Sequence, residues 1–211
     1  MEVIVIAISG VTCGGKTTLA NELKKLIPSS IILSQDDYCY DLKDSRHIWC
    51  EEVNHINFDV ITSLDMERML EDLKKTVGNR KLLKVDQSYT KLNHQDVSNE
   101  FMKNSIAERL QTKGVNLIIL DGFLLFAYRP LLPLINLKYF FTLDRNECFK
   151  RRIQKVYEPP DVPGYFDKCV WPEYLKHLEE VQTDIGDVTY LDNSVERPLD
   201  VVIENIYRLI M

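Results

Sequence analysis

The 211-residue chain is predicted to fold as an α/β three-layer sandwich, a mainly parallel five-stranded sheet with helices on both faces. Three observations lead there. Apolar runs alternate with amphipathic ones along the whole length, the pattern of strands interleaved with helices. The runs Val3–Ile8 and Val115–Leu120 are almost continuously apolar, as strands buried on both faces are. The run Gly10-Val11-Thr12-Cys13-Gly14-Gly15-Lys16-Thr17 joins the first strand to the first helix and fits the phosphate-binding pattern G-x-x-x-x-G-K-[ST].

Each element has a local reason. Val3–Ile8 is the first strand. Lys16–Ile27 comes next as a helix, with Leu19, Leu23, Leu26 and Ile27 on one face and Pro28 as its stop. Further strand signals fall at Ser30–Leu33, Val115–Leu120, Tyr139–Leu143 and Val188–Leu191. Helical patterns lie at about Val60–Val77, Val97–Lys113, Arg145–Tyr157, Trp171–Ile185 and Leu199–Leu209. Asp41–Asn57 is polar and mixed and reads as a loop over the substrate side. Asn79–Asn104 is polar and reads as a surface insertion. The whole chain, 1–211, reads as a single domain.

Hydrophobic residues make up 45% of the chain and its formal net charge is −6. The first is enough for a core, and the second makes nucleic acid a poor partner. The five cysteines, Cys13, Cys39, Cys50, Cys148 and Cys169, are odd in number and form no C-x-x-C pair. They are expected to be reduced thiols in a cytoplasmic protein, with neither a disulfide framework nor a zinc site. Cys13 reads as a spectator in its loop. The N-terminus is already a core strand, so no signal peptide is expected, and no apolar run is long enough to span a bilayer. The four histidines, His47, His55, His94 and His177, lack metal-ligand spacing, and Trp49 and Trp171 read as packing residues.

The phosphate loop carries the chemistry. Its glycines let backbone N–H groups approach phosphate oxygens, and Lys16 adds a positive charge at the β/γ-phosphates. The Thr17 hydroxyl can take a place on Mg²⁺, and the helix N-terminus behind the loop favours an anion. Gly10 to Thr18 are therefore expected to hold the triphosphate of a nucleotide, ATP or GTP.

Three further clusters fall where a parallel sheet gathers ligands, at the carboxyl ends of its strands. Ser34-Gln35-Asp36-Asp37-Tyr38 offers carboxylates for the proton of an attacking hydroxyl, with Asp36 the first choice; a turn cap is the alternative. Asp121 ends the apolar run Leu117–Leu120 and stands where a magnesium-binding acid would, or caps a helix start at Gly122-Phe123. Lys150-Arg151-Arg152-Ile153-Gln154-Lys155 places several cations on one side of a helix. It leads into the Pro-rich turn Tyr157-Glu158-Pro159-Pro160-Asp161-Val162-Pro163-Gly164-Tyr165. A solvated surface helix is one reading. A lid over about 145–166 that closes on the phosphates is the other, and accounts better for the stiff turn.

Together Ile8-Ser9-Gly10-Val11-Thr12, Ser34-Gln35-Asp36-Asp37, Asp121-Gly122-Phe123-Leu124-Leu125-Phe126 and Val156–Asp167 resemble the nicotinamide riboside kinases, P-loop NTPase-type enzymes related to uridine kinases. The similarity runs through most of the chain outside Asn79–Asn104. It implies transfer of the γ-phosphate of ATP to the ribose 5′-hydroxyl of nicotinamide riboside. By the resemblance, Asp36 is the general base and a Mg²⁺ neighbour, Thr17 the direct Mg²⁺ ligand, and Asp59 the holder of ribose hydroxyls. Phe58 and Tyr157 would sandwich the pyridine ring, Arg151 and Arg152 would serve the lid near ribose and phosphates, and Asp161 would help recognise the base. Lys16, Arg152 and Lys155 are expected to act on the transferring phosphate. Asp37, Tyr38 and Glu158 are expected on the substrate side, and Asp121 on the metal.

Phe58 stands where the family usually has Tyr, Lys155 where the lid often has Arg, and Asp121 where a Glu is usual. A uridine/cytidine-type kinase shares the loop and the acid after the second strand, and remains the competing reading. A nucleotide-dependent switch or scaffold is the alternative of another class; the chain lacks the Asn-Lys-x-Asp guanine-reading motif. Asn193–Pro198 is a candidate rim for the purine. No membrane partner is expected, and the sequence names no protein partner.

Overall fold

A computed structural model describes residues 1–84, 99–192 and 195–211. The strands are β1 (Glu2–Gly10), β2 (Ile31–Ser34), β3 (Ile48–Cys50), β4 (His55–Asn57), β5 (Lys81–Leu82), β6 (Val115–Asp121), β7 (Leu137–Phe141) and β8 (Val188–Leu191). The helices are α1 (Lys16–Leu26), α2 (Met66–Val77), α3 (Asn99–Lys113), α4 (Arg145–Arg152), α5 (Trp171–Asp184) and α6 (Pro198–Leu209).

The main sheet runs β2-β6-β1-β7-β8 with every pair parallel. The two-residue β5 adds a sixth strand, pairing with the start of β1. Crossover helices cover both faces, so β1 is buried from Val3 to Gly10 and apolar from Val3 to Ile8. Ile4, Ile6 and Ile8 pack with Leu19 and Leu23 of α1, Ile106 and Leu110 of α3, and Val202 and Ile206 of α6. Val3, Val5 and Ala7 face the other way, toward Met69 and Leu73 of α2 and Val181 of α5. Each fully buried Ile or Leu contributes roughly 1.5–3 kcal/mol.

The register positions the chemistry. Asp121 lies opposite both Ile8 and Ser34, and Gly10 lies opposite Phe141. The carboxyl ends of β1, β2, β6 and β7 therefore open onto one edge. Gly10 is required there: its φ is +113°, and a Cβ would stand 2.2 Å from the Phe141 carbonyl oxygen.

Several elements differ from expectation. Asp41–Asn57 holds the antiparallel β3–β4 hairpin. The second helix begins at Met66, where Asp65 caps it by accepting the Arg68 N–H at 3.0 Å; Ile61–Ser63 is a separate 3₁₀ turn. Helix α4 ends at Arg152, five residues short of Tyr157. Within Asn79–Asn104, Lys81–Leu82 is β5 and α3 begins at Asn99; the rest of that expected insertion lies largely outside the described residues, as do positions 193–194 of the purine rim. The five cysteines are free. Among the described residues no helix is long and apolar enough to cross a membrane.

Candidate active site

The phosphate loop leaves β1 through Val11, whose N–H donates to the Phe141 carbonyl at 2.9 Å. Cys13 and Gly15 take left-handed backbone, at φ 58° and 109°. Gly15 occupies the N-cap of α1 with no side-chain cap. The first-turn N–H groups of α1 are thus left for a ligand, the arrangement that binds anions. Lys16 folds back, and its Nζ donates to the Val11 carbonyl at 2.7 Å. Desolvation pulls the Lys16 ammonium below its ordinary pKa, against the opposing pull of Asp121 and Asp36.

In front of the loop lies a cleft of about 890 Å³, the size of a site for a small-molecule ligand. The expected residues Thr12, Cys13, Gly14, Gly15, Lys16, Thr17, Thr18, Asp36, Phe58, Asp59, Asp121, Arg151, Arg152, Lys155, Tyr157, Glu158 and Asp161 all line it. Gly10 and Val11 lie beneath as support. Asp37 and Tyr38 are absent from the lining. Tyr38 is a core residue, its hydroxyl donating to Asp72 Oδ2 at 3.3 Å and its ring under Arg68. Asp37 is exposed, and its carbonyl accepts from Arg68. The 3₁₀ turn Gln35–Tyr38 sends neighbouring side chains in different directions, so only Asp36 of the trio reaches the cleft.

Gln35, which carried no functional expectation, fixes the two acids. It is fully buried, and its Oε1 accepts the N–H groups of Phe123 and Leu124, both at 2.9 Å. Its Nε2 faces Met66 Sδ at 3.2 Å. Gly122 has no side chain because Gln35 fills the place: a Cβ there would meet Gln35 atoms at 2.5 Å. The residue before Asp36 is thereby tied to the chain just after Asp121.

Asp121 is buried. Desolvation raises its carboxyl pKa, while a hydrogen bond from Thr17 and the charge of Lys16 pull it back. Its Oδ1 has no hydrogen-bond partner. An orphaned carboxylate oxygen beside a threonine hydroxyl, with Asp36 across the ammonium, fits Mg²⁺, a hard cation that takes one or two carboxylates and leaves other positions to water and phosphate. Among the described residues no cluster of three or more His, Cys, Asp or Glu stands ready as an all-protein cage.

Residues 145–166 lie against the loop. Asp144 caps α4 by accepting the Asn146 N–H at 2.8 Å. Arg151 donates to Glu147 Oε1 at 2.7 Å and to the Cys13 carbonyl at 3.4 Å. Arg152 is 7% exposed and forks onto Asp161, Nε to Oδ2 at 2.6 Å and Nη2 to Oδ1 at 3.0 Å. Its Nη1 reaches Thr12 Oγ1 at 3.2 Å, and its guanidinium lies 4.2 Å from the Tyr157 ring centroid. The Tyr157 hydroxyl stands 3.5 Å from both Thr12 Oγ1 and Cys13 Sγ, and desolvation first of all pushes it up to about 12. Lys155 is exposed at the cleft wall and adds to the repulsion felt by Lys16.

On the opposite wall, Phe58 meets His47 and His55 edge-on at 5.4 and 5.7 Å. Asp59 Oδ2 accepts from the Tyr165 hydroxyl at 3.1 Å, and the Asp59 N–H donates to Asn57 Oδ1 at 3.1 Å. Desolvation raises the Asp59 carboxyl, against Arg152 and the Tyr165 hydrogen bond. Phe58 and Tyr157 line one cleft, with Asp59 beside the first and Arg152 beside the second. The Arg152 guanidinium acts on both acids, forking onto Asp161 and drawing the Asp59 carboxyl toward its charged form.

Similarity to curated proteins runs through most of the chain. No family model matches the chain. Over 194 residues it is 38% identical to nicotinamide riboside kinase 1 of Rattus norvegicus, covering 92% of this chain and 88% of that one. It is 37% identical to nicotinamide riboside kinase 1 of Homo sapiens, covering 92% and 86%. Uridine kinase of Haemophilus ducreyi is 28% identical, covering 83% and 80%. Among solved structures, a possible uridine kinase from Bacillus stearothermophilus superposes with a TM-score of 0.45 at 17% identity over 89% of each chain, a likeness too loose to speak of chemistry. On the strength of the first two matches, the chain belongs to the nicotinamide riboside kinase family.

Proposed function

We propose that this protein transfers the γ-phosphoryl group of ATP to the ribose 5′-hydroxyl of nicotinamide riboside, giving nicotinamide mononucleotide. The observation that carries the reading is one cleft holding a phosphate loop, two acids at its edge and an aromatic–carboxylate pair opposite, Phe58 and Asp59. Phosphoryl transfer needs mainly positioning and charge neutralisation. The α1 amides and Gly14–Thr18 hold the β- and γ-phosphates. Lys16 leaves the Val11 carbonyl for the phosphates, exchanging a neutral acceptor for an anionic one. Asp36 accepts the proton of the attacking hydroxyl. Thr17, Asp36 and Asp121 would hold Mg²⁺, which when bound neutralises charge on the phosphates. Arg151 and Lys155 approach from the lid. Arg152, already engaged by Asp161 and Thr12, spans the seam between nucleoside and phosphates.

Asp59 holds ribose hydroxyls, and Phe58 with Tyr157 encloses the flat pyridinium. Contact of a cation with an aromatic face is worth roughly 0.5–2 kcal/mol. Phe58 keeps this contact without a hydroxyl. Reduced cysteines fit a cytoplasmic enzyme. The test is competition: Mg·ATP with equimolar nicotinamide riboside, uridine and cytidine, products read by mass spectrometry. Nicotinamide mononucleotide is the expected product. Preference for the pyrimidine nucleosides would move the chain to the uridine kinase reading, and ATP binding without any nucleoside product to a switch or scaffold.

A further inference from the structure

We infer that Tyr165 is a positioning residue for the nucleoside, holding Asp59 and the backbone of Phe58 in register with the base of the lid. Its side chain is 2% exposed, so its hydroxyl must find partners inside the protein. It finds two on adjacent residues. The oxygen accepts the Phe58 N–H at 2.9 Å and donates its proton to Asp59 Oδ2 at 3.1 Å. One hydroxyl thus sets both the aromatic wall and the carboxylate beside it.

The anchorage of the ring explains why this hold is stiff. Tyr165 comes directly after Gly164, whose left-handed φ of +83° turns the chain into the Phe166–Val170 turn. The Tyr165 N–H donates to the Val162 carbonyl at 3.0 Å. The ring meets His55 at 5.2 Å on one side and lies 5.8 Å from the Arg152 guanidinium on another. Two further ties run parallel to it: Asn57 Nδ2 donates to Glu173 Oε1 of α5 at 3.2 Å, and Lys168 pairs with Glu52 at 2.8 Å. The β3–β4 hairpin is therefore fastened along its length to the segment that leaves the lid. Tyr165 is the point where that fastening touches substrate-facing groups. The hydroxyl also favours the ionised form of Asp59, which desolvation disfavours.

The inference rests on the riboside-kinase reading for what Asp59 holds, and the experiment separates the two. Wild-type turnover of any riboside tests that reading. The ratio of variant to wild type tests the tyrosine. In Tyr165→Phe the ring stays and the hydroxyl goes. The expected result is a 10- to 100-fold fall in kcat/KM for the riboside, the range a hydrogen bond to a charged group supplies, carried mainly by KM, with KM for ATP within twofold. The acid limb of the kcat/KM profile should move to higher pH, because Asp59 loses a partner of its charged form.

A ¹³C NMR titration of the Asp59 carboxyl in free protein reads the same shift with no substrate present. In an Asp59→Asn background, Tyr165→Phe should add little, since both changes break one interaction. Full additivity, an unmoved Asp59 titration, or kcat/KM within twofold of wild type would overturn the inference. So would a fall of more than about 10 °C in the thermal midpoint of Tyr165→Phe, which would assign the hydroxyl to folding.

Discussion

The Arg152 guanidinium forks onto Asp161 with contacts of 2.6 and 3.0 Å, nine residues along the chain, and closes the lid's turn on itself. This pair brings Tyr157 back over the phosphate loop, since Arg152 also touches Thr12 and lies under the Tyr157 ring.

A lysine at position 152 would keep the charge but lose the fork. Arg152→Lys is expected to lower kcat/KM for the riboside by about tenfold or more, the loss of one charged hydrogen bond. Steady-state kinetics with riboside and ATP varied separately would check it. Rates equal to wild type would show that the fork has no part in closure.

Gln35 offers a stability prediction. Gln35→Leu leaves two N–H groups, those of Phe123 and Leu124, without their acceptor. At about 1–3 kcal/mol for each unsatisfied buried group, the loss should be about 2–6 kcal/mol in urea unfolding. Gln35→Glu keeps the acceptor but buries a carboxyl beside Asp36 and Asp121, so it should recover part of the loss, and more of it at low pH where that carboxyl is protonated. If the two variants are equally stable, the amide oxygen is not the tie between the two acids.

The core was legible because apolar periodicity and burial are the same fact seen twice. Val3–Ile8 and Val115–Leu120 appear as the cores of the slightly longer strands β1 and β6, and the phosphate loop sits between β1 and α1 as its glycines require. What stayed hidden depends on distant partners. The hairpin Ile48–Cys50/His55–Asn57 has neither alternation nor a two-residue turn signal, and it stands because Tyr165, Lys168 and Glu173 fasten it. Gln35 resembled one more polar turn residue; only the missing side chain at Gly122 hinted at a filled space. Tyr38 sat in an acidic cluster yet turned to the core, because a 3₁₀ turn separates neighbours by about a third of a revolution. Charge on Lys150–Lys155 suggested a longer helix, but Gln154 and Lys155 donate back three residues, to the Arg151 and Arg152 carbonyls, and the helix gives way to tight turns.

His177 sets a pH dependence. It is 4% exposed, neither ring nitrogen has a hydrogen-bond partner, and desolvation with the Arg129 charge pulls it down to about 4 from an ordinary 6.5, against the exposed Glu180, whose Oε2 lies 3.8 Å from Nδ1. The unfolded chain binds this proton more readily than the folded one. Stability from the neutral ring is therefore fully present above about pH 6.5 and is lost progressively as pH falls toward 4, by about 3 kcal/mol in all. Urea unfolding of wild type and His177→Leu across pH 7.5 to 4 should show a steeper decline in wild type. Parallel curves would remove His177 from the acid sensitivity.

Asp36 is the proposed acceptor of the hydroxyl proton, in front of a loop that holds the phosphates. Turnover of Asp36→Asn with Mg·ATP and nicotinamide riboside, measured beside its affinity for ATP, tests this most directly. The expected result is a fall in kcat of about 10²-fold or more, with ATP affinity within threefold of wild type. A variant that turns over at near wild-type rate would contradict it.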